Sequence, residues 1–292
     1  MPKKVLVAGG DLRQYYCAKQ LASLGFYVSL LGFDELAGTL DTTDIRLTSV
    51  PISHDILVLP PLSSTDSRTL YAPHDTETYE LSYLMQNLSA DGCLLHGVFS
   101  HGRPIAFETL ARSVRVISYD ADEPYAVKNA FLTAEGALSL AVTETDTALA
   151  GSLCLIRGCG RIGKALMRPL LTLGARVCVL SENAGKRIWC THEGMRAITK
   201  DELPDVLPET DFIFNTAPQI MFDDTLLPHF GRHCTYIELA SSPFGIDFSA
   251  AAAAGVRTVR GGGLPGRFSP RTAGKIEADT VMRLTLREEY SS

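Results

Sequence analysis

Short apolar runs alternate along this chain with amphipathic stretches of helical length, and most of the apolar runs end in glycine, proline or a small polar residue. In the first part, residues 4–8, 27–31, 55–59, 93–98 and 114–118 read as buried strands. Residues 12–24, 76–87 and 105–113 read as helices, the first stopped by Gly25 and the second opened by Asp75 or Thr76 as a cap. Residues 120–128 are polar, carry Pro124 and read as a linker, and 130–146 as one long helix. The alternation then resumes. Strands are expected at 153–156, 176–180, 211–215, 235–240 and 256–259, and helical pieces at 164–173, 184–193, 201–206, 224–230 and 248–254. Residues 261–266 form a glycine-rich corner, and a long final helix lies within 270–289.

Strand-helix alternation of this kind calls for parallel sheets with helices on both faces. The predicted fold class is α/β, with two doubly wound parallel-sheet domains and a cleft between them. Residues 1–128 are expected to make a flavodoxin-like or Rossmann-like N-terminal domain, and 129–270 a second domain of Rossmann type. The closing helix, 271–292, is expected to pack back on the first domain.

The stretch with most chemical content is Gly158-Cys159-Gly160-Arg161-Ile162-Gly163. It follows a strand and opens a helix inside a βαβ unit, the context that makes GxGxxG a dinucleotide fingerprint. Gly158 permits the turn, Gly160 lets the main chain approach a pyrophosphate, and Gly163 lets helix and sheet pack closely. The pyrophosphate rests on the unpaired N–H groups of the helix N-terminus, with Arg161 available to add charge. Ligands of an open parallel sheet bind beyond the carboxyl ends of its strands. The expected cofactor contacts therefore extend to Ser181, Glu182, Asn183 and Lys186, to Asn215, Thr216, Ala217 and Pro218, and to Ala240.

The first βα turn, Gly9-Gly10-Asp11-Leu12-Arg13-Gln14, is not a second such site. It lacks the third glycine, and Asp11 puts negative charge where a phosphate would sit. Two readings stay open for it. Arg13 binds a substrate carboxylate, or Asp11 is an N-cap and Arg13 a solvated first-turn residue.

With 27 Lys and Arg against 33 Asp and Glu, the chain is mildly acidic, which argues against nucleic-acid or membrane-surface partners. The seven cysteines are scattered without a CxxC pair, as in a reducing cytosol. No apolar run is long enough to span a bilayer, and Met1-Pro2-Lys3-Lys4 leads into a strand, so the expected location is cytoplasmic. His and Cys spacing suggests no metal. The layout resembles that of the 2-hydroxyacid dehydrogenases, but residues needed for alcohol oxidation are missing from their expected places. Ser242 stands where an Arg is expected, and Pro270-Arg271-Thr272-Ala273-Gly274 where a Pro-His-x-Ala-Gly stretch would carry the acid–base His. His192, His229 and His233 read as surface residues.

Four stretches together resemble the A subunit family of dipicolinate synthase, a sporulation enzyme of endospore-forming Firmicutes. They are Gly9 to Gln14; Asn129 with Thr133-Ala134-Glu135-Gly136; Leu239-Ala240-Ser241-Ser242-Pro243 with Gly245 and Asp247; and Gly263-Leu264-Pro265-Gly266 with Pro270 to Gly274. The resemblance implies an NAD(P)-dependent oxidoreductase that converts dihydrodipicolinate to dipicolinate (pyridine-2,6-dicarboxylate) with a flavoprotein-like B subunit. It makes Thr133, Glu135, Ser241 and Arg271 candidate catalytic residues, and Arg13, Asn129, Ser242, Pro265 and Gly266 candidate substrate contacts. It implies NADP by a small margin over NAD. Glu182 opposes this, because an acidic residue at that place holds a ribose diol and repels a 2′-phosphate; Lys186 and Arg187 lie close enough to offset it. The alternatives are a diverged dehydrogenase of another small dicarboxylate or imine, and a non-catalytic regulatory subunit that binds nucleotide. All three are compatible with a homo-oligomer.

Overall fold

The computed structural model describes residues 2–102, 104, 107 and 114–286. The chain divides into two compact units, Met1–Asn129 with Pro265–Ser292, and Ala130–Leu264. The first contains β1 (Lys4–Ala8), α1 (Leu12–Ser23), β2 (Tyr27–Leu31), β3 (Arg46–Thr48), β4 (His54–Val58), β5 (Leu62–Ser64), α2 (Leu81–Gln86), β6 (Leu88–His96), β7 (Val98–Phe99) and β8 (Arg115–Ser118). Its main sheet is parallel, in the order β3-β2-β1-β4-β6-β8. Successive side chains of a strand enter opposite cores. Val5, Val7, Leu30, Ile56 and Val58 face one; Leu6, Ala8, Leu31, Leu57 and Leu59 face the other. Burial on both faces is why these strands read as unbroken apolar runs.

Helix α3 (Glu123–Thr143) leads into the second unit. That unit holds β9 (Leu153–Arg157), α4 (Arg161–Thr172), β10 (Arg176–Leu180), α5 (Ala184–His192), β11 (Arg196–Ile198), α6 (Leu203–Val206), β12 (Phe212–Asn215), β13 (Thr235–Glu238), α7 (Phe248–Ala253) and β14 (Arg257–Arg260). Its sheet is also parallel, in the order β11-β10-β9-β12-β13-β14. Counted within each sheet, both orders are 3-2-1-4-5-6, the doubly wound arrangement, so the expected fold class holds. Helices α8 (Leu264–Phe268) and α9 (Pro270–Leu286) follow. No helix among the described residues is long and apolar enough to cross a membrane.

Several expected elements differ. Residues 120–128 are not a linker: a 3-10 turn at Tyr119–Ala121 runs into α3, whose first residue is Glu123. Asp122 caps it by accepting from the Tyr125 amide at 2.9 Å, and Pro124 falls in the first turn, where a missing N–H costs nothing. The helix expected at 76–87 shrinks to Leu81–Gln86. Asp75 instead accepts from the Glu77 amide and the Tyr79 hydroxyl in an irregular segment. Strand β3 has too short an apolar run to stand out in the sequence. Of the helix expected at 224–230, only a 3-10 turn at Leu227–His229 forms, around Pro228. The glycine-rich corner becomes α8 from Leu264 onward. The helix expected at 105–113 lies almost wholly outside the described residues, as does the end of the final helix.

Helix α9 packs along α1, within the first unit. Gly274 makes this possible, because a Cβ there would lie 2.5 Å from the Arg13 carbonyl oxygen and 2.7 Å from the Cys17 amide nitrogen. Ala278 and Val281 join Tyr15, Cys17 and Ala18 in one core. Between the helices, Gln14 Nε2 donates to Glu277 Oε1 at 2.6 Å, fully buried. The two remaining oxygens, Gln14 Oε1 and Glu277 Oε2, have no hydrogen-bond partner. Two facing acceptors are costly at ~1–3 kcal/mol each. A proton on Glu277 supplies the missing donor. Burial, with Asp11 and Asp120 nearby, raises this carboxyl to about 7, against the opposing pull of Arg13 and Gln14.

The linkage has a definite sign. Folded Glu277 holds its proton to about 7 and the ordinary value is 4.5, so this stabilisation is complete below pH 4.5 and is lost as pH rises through 7. Glu277→Gln keeps the observed bond, with its side-chain oxygen accepting from Gln14 Nε2, and has no proton to lose. It is predicted to raise Tm at pH 8.5 relative to wild type and to flatten the stability profile between pH 5 and 8.5. Thermal melts of both proteins across that range check this; a lower Tm at pH 8.5 in the variant contradicts it.

Candidate functional site

Strand β9 is central in the second sheet and buried from Leu153 to Arg157. Its chain leaves through Gly158 at φ +100°, a conformation that favours glycine. Gly163 sits where a Cβ would be 2.1 Å from the Gly158 carbonyl oxygen, so α4 touches the turn main chain to main chain. Gly160 is different. Its φ of −90° suits any residue, and among the described residues no atom beyond its chain neighbours lies within 4 Å of where its Cβ would be. It caps α4 without a side-chain hydrogen bond. A twelve-residue helix thus starts at a residue with open space beside it, and a helix N-terminus of this kind is the local geometry that receives a pyrophosphate. Arg161 is exposed at this end, while Ile162 packs against the core formed around Leu166 and Leu170. The side chain of Cys159 points inward: it is buried, with its Sγ 3.9 Å from that of Cys190.

The loop after β10 carries Ser181, Glu182, Asn183 and Lys186. Asn183 caps α5 by accepting from the Lys186 amide at 2.9 Å. The Ser181 carbonyl accepts from Arg187 Nη1 at 2.8 Å, and Glu182 Oε1 accepts from the Lys200 amide at 2.9 Å. Glu182, Asn183 and Lys186 are exposed. The acidic residue is thus held at the tip of β10 by a neighbouring main-chain donor.

Beyond β12 and β13 the structure shows a buried polar network. Arg157 Nη1 donates to Asn215 Oδ1 at 3.0 Å, to the Ala217 carbonyl at 3.2 Å and to the Gln219 carbonyl. Asn215 Nδ2 donates to Glu238 Oε1 at 2.6 Å and to the Ala217 carbonyl at 3.1 Å. Thr216 donates to the Arg157 carbonyl through both its amide and its hydroxyl. The amide of Asn215 is therefore engaged beneath the loop rather than presented to a ligand. Thr216 and Ala217 are half-buried, Pro218 is exposed and Ala240 is half-buried. Burial pulls the Arg157 guanidinium below its ordinary value, with Tyr236 and Glu238 opposing. Arg157, Tyr236 and Glu238 are not among the residues that sequence reasoning singles out. The available signal is two opposite charges closing two apolar strands, at residues 157 and 238.

In the first unit, the turn after β1 is closed to a dinucleotide. Gly9 and Gly10 have φ of +66° and +79°, and Cβ atoms there would meet the Tyr71 carbonyl oxygen at 2.5 Å and Pro60 at 2.6 Å. Both readings of this turn need amendment. Asp11 is the N-cap of α1, accepting from the Arg13 amide at 3.0 Å. Arg13 is not solvated: it is buried, with Nε and Nη2 on the two Asp11 oxygens at 2.8 and 2.7 Å. Asp11 occupies the fork expected to hold a substrate carboxylate. Gly266 is the close neighbour, since its Cβ would lie 2.2 Å from Asp11 Oδ2. Pro265 is buried beside it in sequence, and Arg271 is exposed in the first turn of α9. Gly274 of that motif serves the packing on α1 described above, and Ala273 is buried.

Of the other candidates, Asn129 is half-buried and Thr133 buried on α3, and Glu135 is exposed there. Ser241 and Ser242 are exposed in the loop after β13.

Residues 4–116 match the family model of the N-terminal domain of the dipicolinate synthase A subunit. Over 283 residues the chain is 28% identical to the A subunit of dipicolinate synthase from Bacillus subtilis strain 168, covering 96% of this chain and 95% of that protein. The crystal structure of the dipicolinate synthase A subunit from Bacillus halodurans matches with a TM-score of 0.83 and 26% identity over 97% of each chain. In fold alone, the transhydrogenase of Sinorhizobium meliloti matches with a TM-score of 0.68 at 14% identity, over 97% of this chain and 94% of that one. Residues 4–116 thus belong to the family of dipicolinate synthase A-subunit N-terminal domains, and the resemblance to these A subunits extends over nearly the whole chain.

Proposed function

We propose that this protein is a cytoplasmic NAD(P)-dependent oxidoreductase subunit that converts dihydrodipicolinate to dipicolinate together with a flavoprotein-like B subunit. The observation that carries the reading is the open space at Gly160 over the uncapped N-terminus of α4. The residues fit a dinucleotide. Gly158, Gly160 and Gly163 shape the pyrophosphate seat, and Glu182, Asn183 and Lys186 stand at the ribose end. When bound, the nicotinamide supplies a two-electron hydride acceptor.

The reaction asks little acid–base work of the chain. A dihydropyridine loses a hydride and a proton and becomes aromatic, so ring stabilisation drives the step. The protein's task is to orient a dicarboxylate and exclude competing chemistry. Arg271 and the hydroxyl of Ser241, both exposed, are the proposed substrate-facing groups, with Thr133 a hydrogen-bond donor. Arg13 shapes the first-domain turn through Asp11 and acts on substrate through that pair. NADP is the proposed cofactor on family grounds. NAD is the second reading, favoured by the fixed carboxylate of Glu182.

Two experiments test this. Gly160→Val places a branched side chain where no described atom beyond its chain neighbours lies within 4 Å, so the fold is expected to survive with apo Tm changed by about 2 °C at most. Dinucleotide affinity is expected to fall by at least about tenfold, or ~1.4 kcal/mol. Calorimetric titration with NADP and NAD measures this; unchanged affinity in a folded variant rejects the fingerprint as the site. In the same titrations, Glu182→Ala is expected to shift the NADP:NAD preference toward NADP by about tenfold. For the activity, the purified chain is given dihydrodipicolinate and NADP with and without the B subunit. Growth of the aromatic ultraviolet band in either case supports the reading, and its absence from both rejects it.

A further inference from the structure

We propose that Glu238 is the positioning residue of the nicotinamide half of the dinucleotide site. This rests on the dinucleotide reading above and adds a residue to it. Glu238 closes β13 and is buried. Its carboxylate takes four donors. Oε1 accepts from Asn215 Nδ2 at 2.6 Å and from the Ala240 amide at 2.9 Å. Oε2 accepts from the Tyr236 hydroxyl at 2.9 Å and from the Gly245 amide at 2.8 Å.

The pattern of those donors is informative. Ala240 and Gly245 are the two ends of the loop that carries Ser241 and Ser242, so one carboxylate pins both ends. Asn215 opens the neighbouring loop, and Arg157 fixes that loop from below. Gly245 has to be glycine, because a Cβ there would lie 2.5 Å from both Asn215 Nδ2 and the Tyr236 hydroxyl oxygen. A dinucleotide crosses a doubly wound sheet where the strand order reverses, which here lies between β9 and β12. The adenosine half then falls on the β10 and β11 side with Glu182. The nicotinamide half falls on the β12 and β13 side. Glu238 anchors both loops of that second half and no loop of the first. A carboxylate with four donors accepts all of them; a carboxamide presents an N–H₂ group to two of the same donors. Glu238→Gln therefore releases one end of the serine loop at nearly constant volume, either Ala240 together with Asn215 or Gly245 together with the Tyr236 hydroxyl.

The test separates the two halves with two probes: NADP, and 2′-phospho-ADP-ribose, which lacks the nicotinamide. Wild type, Glu238→Gln and the milder Tyr236→Phe, which removes one donor and keeps the other three, are titrated with each. Glu238→Gln is expected to weaken NADP binding by at least about tenfold while 2′-phospho-ADP-ribose affinity stays within about twofold. Tyr236→Phe is expected to show the same split at about threefold. Equal weakening of both probes, or unchanged NADP binding in the folded variants, overturns the positioning role. If the wild type binds neither probe, nor NAD and ADP-ribose in their place, the dinucleotide reading itself falls.

Discussion

The candidate site depends on one main-chain contact, the approach of Gly163 to the carbonyl of Gly158. A Cβ at Gly163 would stand 2.1 Å from that oxygen, far inside van der Waals range, so the contact admits glycine alone. It sets how α4 enters the sheet, and therefore where its N-terminus emerges. Gly160 contributes the open space beside it. The same fingerprint thus contains one glycine that is required by the fold and another that leaves space unoccupied by protein. These are separable demands, and only the second concerns a ligand.

Elsewhere the molecule holds a carboxylate in three ways, one half-buried and two buried. Asp11 is met by a guanidinium in a bidentate pair. Glu238 is met by four neutral donors. Glu277 has one donor and two nearby carboxylates, and its carboxyl is raised to about 7. The three differ in the local supply of donors and cations; at Glu277, where donors are fewest, burial raises the carboxyl. Each sits between elements rather than within one: a turn and its helix, two loops, and two helices.

The sheets are legible in the sequence because both of their faces are buried, which leaves unbroken apolar runs such as Leu153–Ile156 that need no partner information to interpret. The fingerprint is legible for a related reason: the positive φ of Gly158 and the contact of Gly163 with the Gly158 carbonyl are demands of the local turn. The three-residue β3 is too short to stand out. Residues 120–128 mislead because polarity and Pro124 outweigh the cap at Asp122, although a proline in a first turn is compatible with a helix. Arg157 and Glu238 escape notice because they are 81 positions apart and become partners of the same amide only once β9, β12 and β13 are aligned. Arg13 reads as a free cation although its partner Asp11 is only two positions away, because nothing local shows the packing that buries its side chain. What the sequence conceals is long-range polar pairing, for which a single chain carries no periodic signal.

The discontinuity of the first unit bears on how the chain acquires its structure. Residues 130–264 form a contiguous segment that can fold as soon as it leaves the ribosome. The other unit needs Pro265 onward to complete it. Until α9 arrives, the face of α1 around Tyr15, Cys17 and Ala18 lacks Ala278 and Val281 to cover it. Closing that contact joins segments more than 250 positions apart (Gln14 and Glu277 are separated by 263), a costly, late event in chain-closure entropy. During synthesis the N-terminal half is therefore the aggregation-exposed half, and a chain truncated before residue 265 would have a complete second unit and an unfinished first one.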